Sequence, residues 1–411
     1  MSRSRTWYLS IAVLVAVLVA AGCGRLGYDP AGTDPAVDAG VPPDPPDASD
    51  VTSPPDATPA PDAYLDPNRW WNVAWPSRHK LIIDTTELTE KLYDVPVLVY
   101  LDDTRVDFNA IDAAGADLRF VAADGATELD YSLAMWEPTL ASVVWVRLPI
   151  VEPDQENYIW MYYGNPTAVT SENPSRVWKN NYAGVWHLDE ITDGADRADQ
   201  TAVGNTLSDP SAGVSADFGV VGASAYFHQQ EQDLPLTRTD DTQQFLDMDS
   251  AFTLEAWVNG ERSDRDMPII NKRSDPSDIS YELRRKTGGV LELVVSFDCD
   301  TIVSVAGTSL VDDGRWHYVA GVYDGGALNL YFDGRPEAAL ELDPAVVDLP
   351  LCNSTAPFDI GGCTTTSALF EGGVDEVRVS KVARSPAWLK FQYLATIDQV
   401  LDYGATEVLL E

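Results

Sequence analysis

The chain has 411 residues, with 65 Asp and Glu against 27 Lys and Arg and a formal net charge of −38. So acidic a surface repels phosphate backbones and anionic headgroups, which sets nucleic acid aside as a partner. It keeps the chain soluble and offers carboxylates to divalent cations.

The first element is an export signal. Arg3 and Arg5 precede an apolar run over 11–21, shorter than the about 20 residues a membrane-spanning helix needs. Ala20-Ala21-Gly22-Cys23 resembles a bacterial lipobox, although Ala20 stands where Leu or Val is usual. The resemblance implies removal of 1–22 and a lipid on Cys23, and Gly24 in place of Asp implies sorting to the outer membrane. The expected location is outside the cytoplasm, at the outer membrane or cell surface of a Gram-negative bacterium, with membrane contact through the anchor only.

From 23 to 67 the sequence changes to Pro-Asp units around Asp44, Asp47, Asp56 and Asp62, with hardly an apolar side chain larger than valine. Such a stretch buries too little surface to offset chain entropy, so it reads as a disordered acidic stalk. Folded structure resumes at Trp70-Trp71. Strand-like stretches follow at 79–83, 95–100, 117–121, 143–148 and 158–163, with turn signals at Asp124-Gly125 and Gly164-Asn165-Pro166. That spacing predicts a β-sandwich over 68–178. The phrases WWNVAWPSRHKLII, DVPVLVYLD, GADLRFVAADG, VVWVRLPI and YIWMYYGNP resemble, in order, the domain of unknown function numbered 2341. That resemblance implies a bacterial or archaeal surface protein and supplies no chemistry.

A second sandwich is expected over 179–384. Its phrases are GVWHLDE from Gly184, AFTLEAWV from Ala251, GRWHYVAGVYDGGALNLYFDG from Gly314, then FDIGG and GGVDEVRVS. Each alternates as a half-buried strand: Leu328, Leu330 and Phe332 face one way, Asn329, Tyr331 and Asp333 the other. Order and spacing resemble the laminin-G-like (concanavalin A-like) jelly roll. The predicted fold class is therefore all-β, two tandem sandwiches behind the stalk. The tail at 385–411 reads as a short helix around Trp388 and Phe391, packed on the sandwich, then an extended segment.

With Cys23 lipidated, Cys299, Cys352 and Cys363 remain for one disulfide. Cys352 and Cys363 bracket the strand at 357–362, which holds them beyond the about 7 Å a disulfide spans. Cys299, at a hairpin tip, is expected to pair with one of the two, and the spacings do not suggest zinc.

Chemistry is harder to find. Glycoside hydrolysis needs two facing carboxylates. Asp189 to Asp193 has the wrong spacing, Asp375 and Glu376 point to opposite faces, and Glu255 stands alone in its phrase. His79, His187, His228 and His317 all lie beside strands. A hydrolase is the least favoured reading, and the chain is expected to have no enzymatic activity. The resemblance to the jelly roll implies a structural calcium held by Asp375, Asp189 and Glu190, with oxygens from the acidic loop at 193–209. Tyr281, Arg284 and Asn271 are the candidates for contacting a glycan, near Asp275 and Asp278. The expected role is non-catalytic binding of polysaccharide or glycoprotein at the cell surface. The alternative is a structural or protein–protein module of the cell envelope.

Overall fold

The structure is a computed structural model that describes residues 70–228, 234–243, 245–275, 277–366 and 368–409. The export signal, Cys23 and the stalk at 23–67 lie outside the described residues. Asp62–Glu411 make one compact unit. No helix among the described residues is long and apolar enough to cross a membrane.

The first sandwich begins with β1 (Ser77–Ile83), β2 (Leu92–Leu101), β3 (Arg119–Ala122), β4 (Glu128–Leu129), β5 (Tyr131–Met135), β6 (Ser142–Val151) and β7 (Asn157–Tyr163). A helical turn, α1 (Pro174–Val177), leads into β8 (Tyr182–Trp186), β9 (Ser215–Phe218), β10 (Ala223–Phe227) and β11 (Leu236–Arg238). The chain continues through β12 (Phe252–Gly260), β13 (Met267–Asp275), β14 (Asp278–Arg285), β15 (Val290–Phe297), β16 (Thr301–Leu310), β17 (His317–Tyr323), β18 (Ala327–Phe332) and β19 (Arg335–Glu341). After α2 (Pro344–Val347) come β20 (Phe358–Ile360), β21 (Gly372–Ser380), α3 (Pro386–Thr396), β22 (Leu401–Tyr403) and β23 (Glu407–Val408).

Sheet order explains the period-2 sequence pattern. In the first sandwich one sheet runs β22-β1-β7-β3-β4, with β23 also on β1, and faces the sheet β2-β6-β5. Along β7, Ile159, Met161 and Tyr163 enter the core between them. The alternate residues Trp160 and Tyr162 form an outer aromatic cluster with Trp75. The Arg78 guanidinium caps it, 3.7 Å from the Trp160 ring centroid and 4.5 Å from that of Trp70.

The second sandwich packs an eight-stranded sheet, β19-β18-β17-β12-β21-β10-β9 with β8 on β21, against the six-stranded sheet β11-β20-β13-β14-β15-β16. Leu254, Val319, Leu330 and Val377 from the larger sheet meet Tyr281, Leu283, Leu293 and Phe358 from the smaller. Cys299 sits in the turn between β15 and β16 and is bonded to Cys352 across a Cα separation of 4.7 Å. Cys363 is free and buried. The alternation expected at 328–333 holds, with one difference: Tyr331 does not face solvent, being only 6% exposed.

The reason is that the larger sheet has both faces covered. Its outward residues Trp257, Tyr318, Val322 and Tyr331 share a single core with Trp145 and Trp178 of the first sandwich and with Trp388 and Phe391 of α3. Helix α3 starts where Ser385 Oγ accepts from Trp388 N–H at 3.2 Å, with Pro386 in the first turn. Its buried residues Trp388, Leu389, Phe391, Gln392 and Ala395 follow helical spacing. Gln392 Nε2 donates to Pro96 O at 2.9 Å and its Oε1 accepts from Arg378 at 2.6 Å, so one side chain ties both sandwiches.

The extended end of the chain then returns to the start. Leu401, Asp402 and Tyr403 pair with Ile83, Ile82 and Leu81, and Glu407 pairs with Arg78. The expected tail at 385–411 is thus not an appendage of the second sandwich: its last strands complete a sheet of the first.

Candidate functional site

With the central strands of the larger sheet covered on both sides, the outer face of the six-stranded sheet is a broad strand surface of the second sandwich that a ligand can reach. A cleft of about 420 Å³ lies there, lined by Asp266, Pro268, Arg273, Glu282, Arg284, Val294, Ile302 and Ser304 among others. Register places these side chains. Arg284 on β14 stands opposite Glu292 on β15, and Glu282 stands opposite Val294. Val294 in turn stands opposite Ser304 on β16.

The charges form a continuous ladder. Arg273 Nη1 donates to both oxygens of Glu282 at 2.7 and 2.8 Å, and Arg284 Nη1 donates to Glu282 Oε2 at 3.0 Å. Arg284 Nε and Nη2 reach Glu292 Oε2 at 2.9 and 2.7 Å. Glu292 Oε1 accepts from Lys286 at 2.8 Å and from Ser304 Oγ at 3.0 Å. Burial raises the Glu282 pKa above the usual carboxylate range, against the pull of Arg273 and Arg284. Burial also works upward on Glu292, but the hydrogen bonds from Lys286 and Arg284 outweigh it and hold its pKa low. Three cations and three carboxylates, counting Asp266, therefore balance along the cleft. Pro268, Ile279, Val294 and Ile302 supply apolar steps between them. This floor offers fixed donors and acceptors for hydroxyl groups.

Of the expected glycan contacts, Arg284 is in the cleft and the other two are not. Tyr281 is 1% exposed and its hydroxyl donates to Leu246 O at 2.8 Å inside the sandwich. Asn271 is fully buried and its amide donates to Gly362 O at 2.5 Å. Both are corrections: alternation along β14 turns Tyr281 into the core between the sheets, and Asn271 is covered where its amide meets Gly362.

The expected calcium ligands do not come together as a set. Asp375 Oδ2 accepts from the N–H groups of Val220 and Val221 at 2.7 and 3.0 Å, while its Oδ1 is buried without a partner. Burial and the adjacent Glu376 charge raise its pKa well above the carboxylate range. Glu190 Oε1 accepts from Ala198 N–H at 2.7 Å, and Glu190 Oε2 lies 3.7 Å from Arg197 Nε. Asp189 lies beyond the end of β8, its pKa raised by burial despite His187. Among the described residues no three His, Cys, Asp or Glu converge as metal ligands. Asp375 Oδ1 and Glu190 Oε2 are each buried without a hydrogen-bond partner, the latter 3.7 Å from Arg197 Nε.

Sequence reasoning missed Glu282 and Glu292 because it sought paired carboxylates along one strand. They lie on neighbouring strands, brought to one face by the turn in which Gly289 N–H meets Lys286 O. Counting outward from that turn gives the pairing of Arg284 with Glu292, so the signal was present.

Residues 236–390 match the concanavalin A-like lectin/glucanases superfamily, and 114–201 match the domain of unknown function DUF2341. The second sandwich is a concanavalin A-like domain, preceded by a DUF2341 domain. The DUF2341 match begins later than the Trp70 start read from the sequence and runs past it into β8 and the loop beyond.

Solved structures similar to the chain include the binding domain of Paraclostridial Mosquitocidal Protein 1, at 12% identity and TM-score 0.42, covering 52% of each chain. The Botulinum Neurotoxin serotype G binding domain is similar at 14% identity and TM-score 0.41, covering 52% of this chain and 50% of that one. Domain 4 of AbnA, a GH43 extracellular arabinanase from Geobacillus stearothermophilus in complex with arabinotriose, is similar at 16% identity and TM-score 0.39, covering 51% and 97%. The chain spans about half the length of the first two. No curated protein matches the sequence.

Proposed function

We propose that this chain is a non-catalytic binding protein of the cell surface, anchored through a lipid on Cys23, whose concanavalin A-like domain holds a polysaccharide or glycoprotein glycan. The observation that carries this reading is the charge-balanced cleft on the outer face of that domain's six-stranded sheet. Its donors and acceptors are fixed by one another, so little side-chain freedom is lost when hydroxyl groups bind. The same pairing argues against hydrolysis. Both Glu282 oxygens are occupied by guanidinium donors, whereas a general acid must reach the leaving oxygen.

The test is retention of residues 62–411 on gels containing immobilised polysaccharides. Retention is expected, and Arg284→Ala should abolish it while the variant still unfolds cooperatively. Unchanged retention in Arg284→Ala would move the site off the cleft. Loss of retention on every polysaccharide would favour a protein partner. That second reading has one observation behind it: an apolar groove of about 580 Å³ where Tyr100, Met135 and Val143 meet Val220, beside Ile191 and Phe218 at 78% and 84% exposure.

Calcium enters the proposal at Asp375, not at the three carboxylates together. A divalent cation on its buried Oδ1 relieves the charge burden that otherwise favours a proton there. Calcium should raise the unfolding midpoint of the wild-type unit relative to chelator, and Asp375→Asn should remove the rise. Equal midpoints, with no calcium by elemental analysis, would withdraw it.

A further inference from the structure

A separate cavity of about 490 Å³ lies at one end of the concanavalin A-like domain, where β10, the turn after β12 and the turn after β16 meet. Tyr226, Asn259, Glu261, Arg262, Asp312 and Asp313 line it. None of them belongs to the cleft on the six-stranded sheet.

Its floor is built rather than incidental. Asp312 is only 7% exposed, and Arg285 holds its Oδ2 from behind, through Nε at 3.1 Å and through Nη2. Gly289, at φ +87°, makes the room: a Cβ there would lie 2.4 Å from Asp312 Oδ1. That second oxygen accepts no hydrogen bond from the described residues, and it is not among the buried polar atoms cut off from solvent. It is a fixed acceptor on a residue that lines the cavity.

Each carboxylate around the cavity already has a cation or a hydroxyl donor. Asp312 has the buried Arg285. Asp313 Oδ1 lies 3.1 Å from His317 Nε2, and Asp333 faces the other ring nitrogen at 3.1 Å, so the imidazolium form is favoured there. Glu261 accepts the Tyr226 hydroxyl, and Arg262 lines the same cavity. The acceptors therefore remain while their net charge is offset. Tyr226 is half-buried, packed on the His228 ring at a centroid distance of 4.8 Å, and gives the cavity one aromatic wall.

We propose that this cavity is a second saccharide site, taking adjacent hydroxyls of a neutral sugar ring on Asp312, Asp313 and Asn259, with Tyr226 against the ring's apolar face. An ammonium group gains little where each carboxylate has its own cation or donor. A uronate meets three carboxylates at close quarters. Hydroxyl pairs have what they need: acceptors in Asp312 and Asp313, and both a donor and an acceptor in Asn259.

The experiment is an NMR titration of residues 62–411 with methyl glycosides of neutral hexoses, of an amino hexose and of a uronic acid. The Tyr226 and His228 ring signals should shift with a neutral glycoside, and Asn259→Ala should weaken that response about five- to tenfold. Asn259 is half-exposed at the end of a strand, so its variant should melt with the wild type. Arg284→Ala, which changes only the cleft, should leave the titration unaltered, so failure of one site can be told from failure of the other. The proposal is overturned by a response confined to the amino or uronic glycoside, by no response to any of them, or by loss of the response in Arg284→Ala.

Discussion

Arg378→Ala is expected to cost about 3–5 kcal/mol and to bring both sandwiches down in one transition. Arg378 is 1% exposed, yet its guanidinium donates to Glu376 Oε2 at 2.8 Å and to Gln392 Oε1 at 2.6 Å. It also lies 4.6 Å from the Trp145 ring and 4.9 Å from the Trp178 ring, both in the DUF2341 domain. Removing it strands the buried Glu376 on His187 alone, at 2.7 Å, and leaves a hole between two tryptophans. Tryptophan fluorescence and far-ultraviolet circular dichroism, followed through one urea titration, should report the same lowered midpoint. Two separated transitions would show that the domains are held apart energetically, against the shared core.

Ending the chain after Ile397 should be nearly as damaging, and in the other domain. Val400 and Leu401 are 1% and 8% exposed, and burying two such side chains is worth about 3–6 kcal/mol together. The same cut removes Tyr403, whose hydroxyl donates to Tyr100 O at 2.7 Å, and Glu407, which accepts from Arg78 Nε at 2.8 Å. It also uncovers the free edge of β1, a template for pairing between chains. The shortened protein should melt earlier and aggregate on heating. A midpoint equal to that of the full unit would mean that β22 and β23 add nothing to the sheet.

The sequence made the individual strands legible, because a strand half-buried in a sandwich alternates with period 2. The phrases at 328–333 and 158–163 are examples, and the Cys299 hairpin tip followed from turn chemistry in the same way. What the alternation hid was which outward face meets solvent. Trp257 and Tyr318 lie on strands whose alternation is plain, yet nothing in it says that their outward face lies under another domain; only the tertiary structure shows that. The site was legible in part for a related reason. The sequence places Arg284 on a middle strand as a charged candidate and groups Tyr281 and Asn271 with it, although strand alternation turns Tyr281 inward. The carboxylates at Glu282 and Glu292 needed register between strands, which a turn such as 286–289 encodes only once its pairing is worked out.

The return of the last strands to β1 also has a meaning in time. Arg78 and Glu407 are 329 residues apart, so almost the whole chain must be synthesised before the first sheet can close. Until then β1 has β7 on one side and an open edge on the other. A contact so distant along the chain slows folding and prolongs exposure of that edge. The DUF2341 domain is therefore the first to appear and the last to be finished, with the concanavalin A-like domain made whole in between.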